Sequence, residues 1–307
     1  MVFCKSRAFA ADEEQGSKGN ADTTERKSMD KILLFIPMYN CEKQIVRVLG
    51  QLTDEVCSYL SEVIIVNNRS TDNGEQAVIR YLKEHPRKVR TCLLRNRENY
   101  GLGGSHKVAF QYGIKNGFDY VIVLHGDDQG SISDLLKYLK NGQYRKYDSF
   151  LGSRFMKGSK LVNYSRFRIF GNHVFNALIS AAAGRRLSDL GSGLNMYRSG
   201  YLKSLFYMGF PDTLTFNVYM LLYGVYSKSE FDFFPLTWRE EDQISNAKFV
   251  SQAKEILAVI IGYVLNREKT FAGKGKHREY LADCIYPNGE KASGSGEESL
   301  DKQGENE

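Results

Sequence analysis

The chain has 307 residues, 42% hydrophobic and 25% charged, with 18 Phe and 19 Tyr. This is the usage of a folded globular protein, long enough to bury a core without disulfides, and it excludes disorder along the whole length. The net charge of +6 is unevenly placed: no Asp or Glu occurs between Asp148 and Asp189, a stretch holding Arg154, Lys157, Lys160, Arg166, Arg168, Arg185 and Arg186, and such one-signed charge suits a phosphate-bearing partner.

Residues 1–28 are polar, charged and without period, and read as a disordered N-terminal extension. Met29 opens the run MDKILLFIPMYN and reads as the functional start of the folded domain. Four short runs rich in Ile, Val and Leu follow, at 32–36, 63–66, 90–94 and 120–124, each bounded by turn residues and read as strands. Between them, apolar residues recur at three- and four-residue spacing, as Ile45, Val48, Leu49 and Leu52 do. Helices are therefore expected at 42–52, 73–84, 104–116 and 133–141. Strands alternating with helices predict βαβ units, an α/β fold with a mostly parallel central sheet flanked by helices. Wholly apolar strands fit a sheet covered on both faces. Further strands are expected at 149–151, 194–197 and 230–235, and helices at 164–183, 214–226 and 247–265. One domain over 29–284 is expected, in two halves at 29–150 and 151–284, with 285–307 an acidic disordered tail.

Five cysteines, at 4, 41, 57, 92 and 284, form no CxxC pair, which argues against a disulfide framework or a zinc ribbon. No segment reaches the roughly 18–20 apolar residues that span a bilayer. The expected location is the cytoplasm, with contact at the cytoplasmic face of a membrane left open. The 249–265 stretch and its neighbouring lysines and arginine are one candidate for that contact, against the stronger reading of a core helix.

Ligands of parallel α/β sheets bind beyond the carboxyl ends of the strands. The four strand ends here are followed by Pro37-Met-Tyr39-Asn40, by Asn67-Asn68-Arg69-Ser70-Thr71-Asp72, by a loop ending in Gly101-Leu-Gly103-Gly104, and by His125-Gly126-Asp127-Asp128-Gln129. All are rich in hydrogen-bonding side chains. The glycine loop opens a helix, whose N-terminus favours anions. Oxygen ligands at Asp127, Asp128 and Gln129 suit a magnesium or manganese ion that also takes substrate phosphates.

In this order, Ile36-Pro37-x-Tyr39-Asn40, Asn67-Asn68-x-Ser70-Thr71-Asp72, Asn99-x-Gly-x-Gly103, Gly126-Asp127-Asp128-Gln129, Gly152-Ser153-Arg154-Phe155 and Ser192-Gly193-Leu194 resemble family 2 glycosyltransferases, within the dolichyl- or polyprenyl-phosphate sugar synthase branch and its relatives in polysaccharide assembly. The likeness covers about residues 30–250. It implies a GT-A nucleotide-diphospho-sugar transferase fold, with 29–150 as the nucleotide-sugar half and 151–284 as the acceptor half. It also implies a Mg or Mn cofactor, and inversion at the sugar carbon as a nucleotide-sugar donor meets a polyprenyl-phosphate or lipid-linked saccharide acceptor.

Carried over by residue, the resemblance puts Pro37, Tyr39, Asn40, Asn67 and Asn68 at the base and ribose, although Asn67 and Asn68 stand where the family has aspartates. Gly103, Lys107, His125 and Arg239 fall on the donor phosphates or ribose, with Lys248 the alternative to Arg239. Asp127 and Gln129 are the metal ligands, and Asp128 is expected behind the metal or facing solvent. His125 replaces the first Asp of the family's DxD motif. Arg154 and Arg168 match positions that hold the acceptor phosphate. A phosphate acceptor needs no general base. A sugar-hydroxyl acceptor needs one, with Asp189 the first choice and Asp212, Glu241 and Asp242 the others. A non-catalytic nucleotide- or membrane-binding relative is the rival from another class. Nucleic acid is not expected, because no recognition motif accompanies the basic stretch.

Overall fold

The computed structural model describes residues 29–242, 249–273 and 278–288. The strands are β1 (Ile32–Met38), β2 (Glu62–Asn67), β3 (Arg90–Asn96), β4 (Tyr120–Leu124), β5 (Ser149–Ser153), β6 (Lys160–Val162), β7 (Leu194–Arg198), β8 (Phe231–Pro235), β9 (Thr237–Arg239) and β10 (Ala282–Asn288). The helices are α1 (Glu42–Gly50), α2 (Asp54–Cys57), α3 (Gly74–Glu84), α4 (Gly101–Lys115), α5 (Ser133–Asn141), α6 (Arg166–Ala183), α7 (Ser199–Leu202), α8 (Phe216–Tyr226), α9 (Phe249–Leu265) and α10 (Arg267–Phe271).

Eight strands form one sheet in the order β10-β3-β2-β1-β4-β7-β5-β8, and β6 pairs with β9 in a separate ribbon. Strand β1 is buried at all seven positions. Its side chains alternate: Leu33 and Phe35 enter the cluster under α4 and α8, while Ile32, Leu34, Ile36 and Met38 enter the cluster under α1, α3 and α5. A strand covered on both faces has no use for polar positions, which explains the unbroken apolar run. β1 pairs in parallel with β2 on one side and β4 on the other. The chain thus winds outward from β1 in both directions, and the crevice at the carboxyl ends of β1 and β4 is the position where α/β sheets bind ligands.

The expected strands and helices appear with ends shifted by a few residues. Three strands were not expected. β6 and β9 are three-residue pieces, too short for a period. β10 is an antiparallel edge on β3, with a register shift between Cys284 and Tyr286. Its Asp283 and Pro287 hide it from pattern reading, and an edge strand tolerates Pro because one side of its backbone needs no ladder bond. Residues 285–288, expected in the acidic tail, therefore belong to the sheet. Residues 1–28 and the rest of that tail lie outside the described residues, as does Lys248.

The glycines opening α4 allow close packing. A Cβ on Gly103 would stand 2.6 Å from the Pro211 carbonyl oxygen and 2.9 Å from the Asp212 Cα, and the Gly103 N–H donates to the Asp212 carbonyl at 2.8 Å. These neighbours are backbone and cannot swing aside. Gly103→Ala is expected to cost about 1–3 kcal/mol by forcing α4 away from this loop, read as a lower denaturant midpoint at unchanged slope.

Candidate active site

The floor of the crevice is set by Gly126. Its N–H donates to the Pro37 carbonyl at 3.1 Å, and a Cβ there would lie 2.8 Å from the same oxygen. Only glycine lets β4 turn away so close to β1. The turn delivers His125 on one side and Asp127 on the other. Gly193 is needed for the same reason, since a Cβ on it would meet the His125 side chain at 3.0 Å. His125 also donates its N–H to the Gly193 carbonyl at 2.8 Å.

Asp127 is partly exposed, and its Oδ1 accepts the Gln129 N–H at 3.2 Å. Desolvation pushes its carboxyl up to about 6. A bound cation would offset that penalty. No group of three or more His, Cys, Asp or Glu with metal-site placement occurs among the described residues. A donor set of one carboxylate and one amide fits a hard divalent ion that completes its shell with substrate phosphates and water, rather than a closed protein cage. The buried His125 Nε2 has no hydrogen-bond partner among the described residues and stands two positions from Asp127.

Asp128 does not face solvent as one expectation had it. It is 3% exposed, and its carboxylate accepts from Arg47 Nε and Gln51 Nε2, each at 2.7 Å. Arg47 also reaches Asp242 at 2.8 Å, and so ties the turn after β4 to the segment after β9. That segment closes on the site from the other side: the Arg239 N–H donates to the Gln129 carbonyl at 3.0 Å, and Glu240 pairs with Arg168 of α6. These contacts join the turn after β4 to β9, and the residue after β9 to α6.

The remaining expected residues divide. Tyr39 is 50% exposed at the mouth. Asn40 adopts φ +50°, and its Oδ1 accepts the Thr71 N–H at 2.8 Å, stitching the loop after β1 to the loop after β2. Asn67 is buried, donating to Glu75 at 2.8 Å and accepting the Ser70 N–H at 2.9 Å. Arg95 donates to both oxygens of Glu75, sharing Oε2 with Asn67, and keeps that carboxyl below its ordinary range. Asn68 Oδ1 accepts from Asn96 Nδ2 and from the Tyr100 N–H, and its Nδ2 donates to Asn99. Both amides, expected at the base and ribose, are taken up in bonds that hold the loops after β2 and β3 together.

Four expected residues are engaged within the protein. Lys107 does not reach a ligand phosphate. It is wholly buried, and its Nζ donates to the Phe210 carbonyl at 2.5 Å, to Asp212 at 2.8 Å and to the Tyr280 hydroxyl at 3.1 Å. It holds the loop before α8 and the approach to β10 together. Gly103, expected at the donor phosphates, is occupied by the Pro211–Asp212 backbone described above. Asp189, expected as the first choice of base, is paired with Arg154. Its Oδ2 accepts from the Arg154 N–H and Nε, each at 2.9 Å, while its Oδ1 accepts from Arg154 Nη2 at 2.7 Å and from the Gly191 N–H at 3.1 Å. Arg154, expected at the acceptor phosphate, is committed to this pair and lies between Phe155 and Trp238 at about 5 Å from each ring. Breaking such a buried pair typically costs about 3–5 kcal/mol. Asp212 and Asp242 are likewise ion-paired, with Lys107 and Arg278 and with Arg47.

One residue that sequence reading passed over is His106. It sits behind His125, with ring centroids 6.0 Å apart, inside a cage of Phe35, Phe110 and Phe216. Nδ1 lies 2.8 Å from the Leu102 carbonyl, and Nε2 has no partner among the described residues. Burial, with His125 adding a smaller push, lowers its pKa to about 3, and burial lowers His125 to about 4. Its position within a helix that is mostly small and apolar was the only sequence signal.

Because both imidazoles are depressed, the unfolded chain binds more protons than the folded one below about pH 6.5. Stability is full above that pH and falls as the pH drops toward the folded values, by about 1.4 kcal/mol per unit for each ring. His106→Leu is expected to remove about half of that imidazole slope, whatever its effect at neutral pH. Urea unfolding between about pH 5 and 7 checks it.

The family model described as Glycosyl transferase family 2 matches residues 34–206. An undecaprenyl-phosphate mannosyltransferase of Micrococcus luteus is 27% identical over 176 residues, 57% of this chain and 69% of that protein. An undecaprenyl-phosphate 4-deoxy-4-formamido-L-arabinose transferase of Photorhabdus laumondii is 28% identical over 58% of this chain, which spans only about half, 52%, of that relative. A mannosyltransferase from Pyrobaculum calidifontis, solved with GDP-Man and Mn2+, superposes with a TM-score of 0.54 at 17% identity, covering 81% of this chain and 67% of its own. That likeness establishes the GT-A fold. With the family match spanning more than half of its length, the chain belongs to glycosyl transferase family 2.

Proposed function

We propose that this glycosyltransferase moves a sugar from a nucleoside-diphosphate sugar to a polyprenyl phosphate at the cytoplasmic face of a membrane, with inversion. The observation that carries the choice of acceptor is the state of the carboxylates. Of the four candidate bases, Asp189, Asp212 and Asp242 are each held by arginine or lysine, which counts against a sugar-hydroxyl acceptor, and Glu241 is exposed after β9. A phosphate monoester is already ionised at neutral pH and attacks without a base. The names of the relatives point the same way.

In this reading the pocket beside Tyr39, Asn40, Asn67 and Asn68 takes the base and ribose, and His125 lies beside the donor. Asp127 and Gln129 hold the Mg or Mn ion, which when bound supplies positive charge for the diphosphate leaving group. Arg239 faces the donor phosphates, and Arg168 exchanges Glu240 for the acceptor phosphate. One acceptor oxygen bonds to the anomeric carbon as the bond to the diphosphate oxygen breaks on the opposite face, and a single displacement of this kind inverts the centre. The Arg154–Asp189 pair keeps the wall behind this site rigid.

The first test is thermal stabilisation by UDP, GDP and dTDP with and without Mn2+. A nucleotide at about 100 times its Kd adds roughly 2.7 kcal/mol of stability. One nucleotide should act only with the metal, and Asp127→Ala should abolish the shift. The same variant should lower transfer to polyprenyl phosphate by about 10²–10³. Transfer at wild-type rate in Asp127→Ala, or transfer to saccharide hydroxyls but not to polyprenyl phosphate, overturns the reading.

A further inference from the structure

Helices α6 and α9 pack against each other, and both bury their inner edge in one cluster through Ile179, Val259, Ile260 and Tyr263. Their outer edges are apolar as well. On α6, Phe170, Val174 and Leu178 recur at four-residue spacing and share one side of the helix. On α9, Leu257, Ile261 and Val264, at spacings of four and three, also share one side. All six are exposed, Phe170 by 68% and Val264 by 60%. A single exposed leucine is ordinary, but two adjoining stripes form a contiguous patch of the kind that marks an interaction surface.

The charges around this patch identify its partner. Arg166 starts α6, and Arg185 and Arg186 follow its end. Lys254 lies on α9, and Arg267 and Lys269 lie on the short helix α10 that follows it; all six are exposed. Against them these segments carry only Glu255 and Glu268. An apolar stripe with a basic rim is complementary to an anionic bilayer, where side chains enter the acyl boundary and cations meet the headgroups. A second copy docked on this face would set like charges against each other. Among the described residues, no helix is long and apolar enough to cross a membrane, so attachment through this part of the fold has to be peripheral.

We propose that the outer face of α6 and α9 docks the enzyme on an anionic membrane surface, with both helices lying in the headgroup plane. The proposal deepens the reading of a membrane-borne acceptor and rests on it for the identity of the lipid substrate. Arg168 stands two residues before Phe170, roughly half a turn around α6, so the helix that meets the lipid with one side presents Arg168 to Glu240, and in this reading to the acceptor phosphate, with the other.

Cosedimentation with phosphatidylcholine vesicles, with and without about one third phosphatidylglycerol, tests the surface. The protein should pellet with the anionic vesicles and release as salt rises. Phe170→Ser with Ile261→Ser should weaken binding at least roughly tenfold. Arg185→Gln and Arg186→Gln should each weaken it roughly fivefold, on anionic vesicles only. The positions are on the surface, so an unchanged melting temperature verifies the fold. The serine double variant should keep its rate on a short, water-soluble prenyl phosphate and lose it on acceptor presented in vesicles. Equal binding by wild type and variants, no binding to either vesicle, or a dimer dissolved by the same substitutions overturns the proposal. Vesicle binding that depends on these residues, without transfer to any prenyl phosphate, upholds the docking face and overturns the acceptor.

Discussion

The contact on which the rest of the molecule depends is the approach of Gly126 to the Pro37 carbonyl. β1 is hydrogen-bonded on both sides and covered on both faces, so it is the fixed reference of the fold. β4 runs alongside it and must turn away immediately beyond its last apolar residue. A side chain at 126 would fill the crevice and push Asp127 away from β1. With glycine there, the chain turns within one residue, and the metal-motif side chains stand at the junction of two buried strands. A desolvated carboxylate at that junction is costly when ionised, and a nearby cation would offset that cost.

Buried and half-buried ion pairs then determine which charges remain for chemistry. Asp128 with Arg47, Asp189 with Arg154 and Asp212 with Lys107 and Arg278 each join segments from different parts of the chain. Replacing both members of such a pair by apolar groups can be nearly neutral, whereas removing one leaves a stranded charge. They act as clamps on the loops around the crevice. They engage Asp189, Asp212 and Asp242, three of the carboxylates that could have served as bases. On α6 the same sorting sets Arg168 against Glu240 and leaves Phe170, Val174 and Leu178 exposed.

The fold was largely legible before any coordinates. Apolar runs of five to seven residues and helices with three- and four-residue spacing are local signals, and they placed β1 to β5, β7, β8 and the longer helices within a few residues. The antiparallel strand β10 was not legible, because an edge strand with Asp283 and Pro287 carries no period and gains its stability from β3, far away in the chain. At the candidate site, the four strand-end loops converge as expected. The fates of Lys107, Gly103, Asp189 and Arg154 were not readable, because a lysine or arginine looks the same in sequence whether its charge meets a ligand or an internal carboxylate.

Sequence alone therefore determined the order and type of the main elements, the family likeness and the position of the Asp127–Gln129 motif, since each depends on neighbours a few residues apart. Tertiary structure alone decided the partners of the long polar side chains. Arg154 meets Asp189 across 35 positions, Arg47 meets Asp128 across 81 and Lys107 meets Asp212 across 105. Pairings at that separation are set by how the sheet is wound, and no local pattern encodes them.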